Sequence, residues 1–185
     1  IIMPIIAPYN NYTEAQEVTN SNLFSTNRAT SISEWESGPR INYGIEWFIN
    51  STNGTDVKTV LGQNYRFNKL SEDTASEISN YFVNSNINID LDNYLDGSLI
   101  IDRDDLKIRS FNANTFNTFG NLIFALNYDY TSGKYNAPAE QVAVGGKYKL
   151  DNDLFLKFTG AKNLDTNKNI GYQYGILYEN DCLGI

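Results

Sequence analysis

Histidine is absent from the 185 residues, and cysteine and methionine each occur once. The first absence removes the usual general base near neutral pH and the commonest transition-metal ligand. The lone Cys182 has no partner for a disulfide within the chain. Long apolar runs are missing as well. Nothing approaches the roughly 20 apolar residues of a membrane-spanning helix, and mean hydropathy is −0.41. Strands that cross a bilayer alternate and keep mean hydropathy low, so this absence speaks only against helices. Basic charge is scarce: 14 Lys and Arg stand against 22 Asp and Glu, a net −8. No basic patch is available for phosphate backbones, which argues against nucleic acid.

Catalytic patterns are missing too. The chain has no Gly-rich phosphate loop, no Ser/His/Asp set and no Cys cluster. Asp102, Asp104 and Asp105 lack the spacing of a Ca²⁺ loop and read as a solvated corner with Arg103 as counterion. The sequons at 50–52 and 53–55 read as turn chemistry. No enzyme activity, metal or cofactor is expected. The opening IIMPIIAPYNN has neither the basic region nor the cleavage site of a signal peptide. A chain that starts in mid-pattern and stops just past its only cysteine is expected to be a piece of something longer.

What is abundant is alternation. Ile41, Tyr43, Ile45, Trp47 and Ile49 fall on one parity, with Asn42, Gly44 and Glu46 on the other. The same period recurs in Leu122, Phe124, Leu126, Tyr128, Tyr130 and in Ile170, Tyr172, Tyr174, Ile176, Tyr178. Period two with one apolar face is the signature of strands. Nine are expected, near 40–49, 57–67, 81–91, 94–102, 105–114, 119–130, 140–150, 153–163 and 169–179. Most match the roughly 9–11 residues of a tilted membrane-crossing strand. Tight turns are expected at 50–55, Asp92-Asn93, Phe116–Thr118 and Asp151-Asn152, all at one end of the strands. Longer links at 68–80, 132–139 and 164–168, the Arg103-Asp104 corner and the opening segment fall at the other. Short turns on one rim and long loops on the opposite rim are how outer-membrane barrels are built.

The expected fold is therefore all-β, an antiparallel up-and-down transmembrane β-barrel segment of about nine strands, incomplete as a barrel. A soluble β-barrel binding module would alternate too, but it needs large apolar side chains inward. Here the second face is Gly, Asn, Lys and Gln. Three regions are expected. Residues 1–38 hold the end of an incoming strand and a long extracellular loop, 39–181 the membrane-spanning strands, and 182–185 a periplasmic end with the cysteine. Tyr43, Trp47, Tyr65, Tyr81, Tyr94, Tyr128, Tyr130 and Tyr172 read as an interfacial girdle rather than a sugar channel where they share the apolar parity. Lys58, Arg66, Lys107, Arg109, Lys147 and Lys149 are the candidates for the lumen, where positive charge would suit passing phosphates or an acidic partner.

Several stretches resemble one family in consistent order. MPIIAP at 3–8, then Asn22, Leu23, Phe24 and Arg28 in NLFSTNR, then Glu36, Gly38, Arg40, Tyr43 and Gly44 in EWESGPRINYG are similar to the lipopolysaccharide-assembly outer-membrane family LptD. Gly62, Gln63, Tyr65 and Arg66 in GQNYRF, IIDRDDLKIRS at 100–110 and the tyrosine-rich end before Cys182 extend the resemblance over nearly the whole chain. Adjacent cysteines common in the family are here Asp181-Cys182, and ATSISEW replaces its aromatic-Ser-Gly-x-Asp-Arg stretch. The resemblance implies a part in inserting lipopolysaccharide into the outer leaflet of the outer membrane. It also implies a lipoprotein plug of LptE type, a periplasmic bridge reached through an N-terminal domain, and a disulfide from Cys182 to that domain. A general outer-membrane porin or channel is the alternative.

Overall fold

The computed structural model describes residues 1–6, 22–26, 38–67, 77–133 and 138–179. Arg28, Glu36 and Cys182 lie outside the described residues, as do most of the opening loop and most of 68–80. Among the described residues the chain forms ten strands and no helix. They are β1 (Ile2–Ile5), β2 (Arg40–Asn50), β3 (Asp56–Arg66), β4 (Tyr81–Asn88), β5 (Tyr94–Ile101), β6 (Ile108–Phe119), β7 (Leu122–Thr131), β8 (Ala139–Asp151), β9 (Leu154–Asn163) and β10 (Lys168–Tyr178). Each pairs with its sequence neighbour, in the order β1 to β10, and the sheet does not close on itself. The fold is an all-β, antiparallel, up-and-down sheet, as the alternation requires.

The tenth strand is the short β1, whose Ile2–Ile5 pair with Tyr43–Arg40 of β2. The largest differences from the sequence expectation lie around β6, and β4 also stops at Asn88 rather than 91. Phe116–Thr118 are not a turn but the last part of β6, and the reversal falls at Gly120-Asn121. Gly120 sits at φ 57, the left-handed conformation that two-residue hairpins need and glycine adopts without strain. β6 also starts late. Leu106 has φ 55, so Leu106 and Ile108 cannot be successive members of one extended face, and 102–107 form a turn. Asp102 Oδ1 holds that turn by accepting the Asp104 and Asp105 N–H groups at 2.8 and 3.1 Å.

Connections 51–55, 89–93, 120–121 and 152–153 lie at one end of the strands, and 102–107, 164–167 and the strand ends Arg66, Tyr81, Thr131 and Ala139 at the other. The link 164–167 is as brief as the turns of the opposite end. Asn163 Oδ1 tightens it by accepting the Thr166 N–H at 2.7 Å.

The chain divides into two compact units. One comprises Ile1–Phe48, Lys58–Ser85 and Ser98–Ile108; the other comprises Ile49–Val57, Asn86–Gly97 and the chain from Arg109 onward. In the first unit Leu23, Val60, Phe82 and Ile100 form the buried apolar cluster, with Phe24 against it. That core lies on the even-numbered parity of β3, β4 and β5. In the second unit the register of β6 to β10 puts Leu122, Phe124, Leu126, Tyr128 and Tyr130 on one face with Tyr148, Val144, Val142, Phe158, Leu156, Tyr174 and Ile176. The opposite face carries Asn112, Asn114, Asn127, Asp129, Gln141 and Thr159.

Candidate functional site

The family-like residues separate onto two faces. Phe67 N–H donates to Pro39 O at 3.1 Å, which sets Arg40 opposite Arg66, Asn42 opposite Asn64 and Gly44 opposite Gly62. On the other parity Tyr43 meets Gln63, its hydroxyl donating to Gln63 Oε1 at 2.6 Å, and Gln63 Nε2 donates to Ser79 O at 2.9 Å. Tyr65 packs edge-on against Phe67 with ring centroids 5.2 Å apart. Gly38, at φ 87, turns the chain into β2.

The even face of this hairpin is where the described part of the opening loop sits. Asn22 O accepts the Ser25 N–H at 3.0 Å, making a turn that presents Leu23 to the sheet. Leu23 is only 1% exposed. Gly44 and Gly62 leave a flat spot beneath it: a Cβ on Gly62 would overlap Leu23 Cδ2, and a Cβ on Gly44 would come within 3.5 Å of it. Burying a leucine contributes roughly 1.5–3 kcal/mol. Arg40 is equally buried and its Nη2 donates to Thr26 O at 2.6 Å. Arg66, Asn42 and Asn64 are also buried, and Asn64 Nδ2 donates to Asn42 Oδ1 at 2.6 Å and Ile41 O at 3.3 Å. A buried guanidinium needs an acceptor, and here a loop carbonyl supplies one. The 22–26 segment is thus held by an apolar contact over two glycines and by an arginine reaching up from β2.

Of the lysines and arginines expected on the polar face, Lys58 and Arg66 share the parity of Val60. Lys58 faces Glu46 at 3.2 Å. Lys147 contacts Glu179 and lies 5.6 Å from the centroid of Phe155. Lys149 shares that parity. The other two are corrected. Lys107 belongs to the turn, 3.7 Å from Asp105. Arg109 pairs with Ser132 and takes the parity of Phe111, because the late start of β6 shifts the alternation. Tyr94 likewise lies on the parity of Asp96, stacked on Phe116 at 5.8 Å, and not with the apolar face.

Sequence reasoning missed a run of amides in the second unit. Asn86 Nδ2 donates to Asp96 Oδ2, Asn114 Nδ2 to Asp96 Oδ1 at 3.3 Å and to Asn112 Oδ1 at 2.7 Å, Asn127 Nδ2 to Asn114 Oδ1, and Asn112 Nδ2 to Asp129 Oδ1. The ladder crosses β4, β5, β6 and β7. Its signal in the sequence is Asn or Asp at alternate positions 112, 114 and 127, 129, but only the register joins them to 86 and 96. Asp96→Ala would remove the acceptor of Asn86 Nδ2 and one of the two acceptors of Asn114 Nδ2. It is expected to cost about 1–3 kcal/mol, with Asp96→Asn costing less. Urea unfolding of the two variants beside the parent checks this.

No group of three or more His, Cys, Asp or Glu able to hold a metal ion occurs among the described residues. What the geometry provides is, in the second unit, strands with one polar, hydrogen-bonded face and one apolar, aromatic face, and, in the first, a loop segment fastened to the even-numbered face of β2 and β3. The family model described as LPS transport system D, LptD, matches residues 8–154. The chain belongs to the LptD family. A search of curated proteins finds no match. The match to LptD covers the Leu23 seat, the buried arginines and the whole amide ladder, and membership gives the chain a part in lipopolysaccharide transport.

Proposed function

We propose that this chain is a section of the wall of an outer-membrane translocon that inserts lipopolysaccharide into the outer leaflet. The observation that carries the reading is the exposure of the apolar face. Trp47 is 48% exposed, Ile176 72% and Tyr174 83%, while only Ile5, Leu23, Val60, Phe82 and Ile100 are buried apolar residues among those described. A soluble module would bury such a face; a bilayer offers the hydrocarbon it needs. Strands of 8 to 13 residues from β2 to β10 suit a tilted crossing. The polar face would then line the lumen, and the Leu23 segment would fold inward from the outer rim.

In this reading the chain does no covalent chemistry. Lipopolysaccharide arrives from a periplasmic bridge, a lipoprotein of LptE type plugs the barrel, and Cys182 forms a disulfide with a periplasmic domain. Depleting the protein from its host under a repressible promoter tests the role. Newly made lipopolysaccharide is expected to lose access to a surface-acting modifying enzyme before other barrels decline. Unchanged delivery would sink the transport role and favour a channel of other cargo.

A further inference from the structure

We propose that Lys147, Lys149 and Lys157 form a subsite for a phosphate group borne on a saccharide, at the turn end of β8 and β9 on the polar face. The inference rests on the lipopolysaccharide reading and adds to it where the phosphate is held. Lys147 and Lys157 are direct cross-strand partners, and Lys149 follows on the same face, opposite Phe155. Directly opposed residues hold their Cβ atoms about 4.5–5.5 Å apart, and like charges there are unfavourable. A protein with an excess of acidic residues has ample means to interleave a carboxylate at such a pair. Glu179 reaches Lys147, but among the described residues no ion pair engages Lys149 or Lys157.

The surroundings suit a ligand. Beside Lys157 on β10 stands Gly175, and a Cβ there would meet nothing within 4 Å. One step along the strands, Gly145 and Thr159 border a hollow of about 590 Å³ lined from β5 to β10, where Asn114, Asn127, Thr159 and Gln173 are among the polar side chains. Amides and a hydroxyl match sugar hydroxyls, and ammonium groups at one end match the oxygens of a phosphate. Phe155 beneath Lys147 restricts where that side chain can move.

The test uses the intact protein in detergent, with labelled lipopolysaccharide, its enzymatically dephosphorylated form, and inorganic phosphate as competitor. Lys147→Gln with Lys157→Gln is expected to weaken binding of the phosphorylated form about ten-fold or more and to leave the dephosphorylated form unchanged. Arginine at both positions is expected to restore most of the affinity. Lys162→Gln removes a charge from the opposite face and is expected to change nothing. Equal binding of the phosphorylated form by parent and double variant would overturn the subsite while the transport reading stands. Binding of neither form by the parent would overturn both. Displacement by millimolar inorganic phosphate would point to free phosphate as the ligand and overturn the saccharide part of the proposal.

Discussion

Gly62→Val is expected to drive Leu23 off the sheet and to make the 22–26 segment sensitive to protease. The argument is one of space. A Cβ at Gly62 overlaps Leu23 Cδ2 and stands 3.1 Å from Cδ1, so the new side chain and the leucine cannot share the site. Overpacking of this kind costs about 1–3 kcal/mol, and removing the leucine by Leu23→Ala costs about 2–5 kcal/mol. The two are coupled. In a Leu23→Ala background the alanine at Gly62 has room, so the cycle of Gly62→Ala and Leu23→Ala should show an interaction of about 1 kcal/mol or more. Gly44→Ala behaves differently, because its Cβ would lie 2.6 Å from Leu61 O, a backbone atom that shortening Leu23 does not move. Urea midpoints for the single and double variants separate these cases. Additive effects at 62 and 23, or a protease-resistant loop in Gly62→Val, would mean that the glycine pair is not what seats the loop.

The same contact explains what was legible in the sequence. Period two needs only neighbours two residues apart, so the apolar parities of β2, β7 and β10 stood out at once. Segment ends were harder wherever a residue left extended conformation. Leu106 at φ 55 carries the apolar character of a strand while belonging to a turn, and this misplaced Lys107 and Arg109. Phe116–Thr118 look like a short turn in sequence, whereas Gly120 at φ 57 supplies the conformation that reverses the chain. The Leu23 seat joins residues about forty apart, and Gly62 looks in sequence like any small residue. Its role is to be empty, which periodicity cannot register. The amide ladder likewise depends on four strands in register at once. Arg40 and Arg66 read as part of a family-like pattern, and Arg66 as lumen charge; both are buried, Arg40 against the 22–26 segment. Local pattern set the faces, and long-range register made the site.

Leu126→Arg tests whether the apolar face meets lipid. Leu126 lies in mid-strand on β7, opposite Thr115 and Val144, on the parity of Phe124 and Tyr128. Facing hydrocarbon near the bilayer midplane, an arginine costs about 2–4 kcal/mol. On a water-facing surface the same change stays within about 0.5 kcal/mol. Thr159→Arg, in mid-strand on β9 and on the opposite parity, is the matched control. It adds the same charge to the polar face, where water or a lumen would solvate it. In folding titrations into lipid bilayers the first variant is expected to lose stability by that larger amount and the second to stay near the parent. Equal tolerance of arginine at 126 and 159 would remove lipid from the account of the apolar face. The exposed tyrosines and isoleucines would then require a protein surface to cover them, since an uncovered face of that extent does not persist in water.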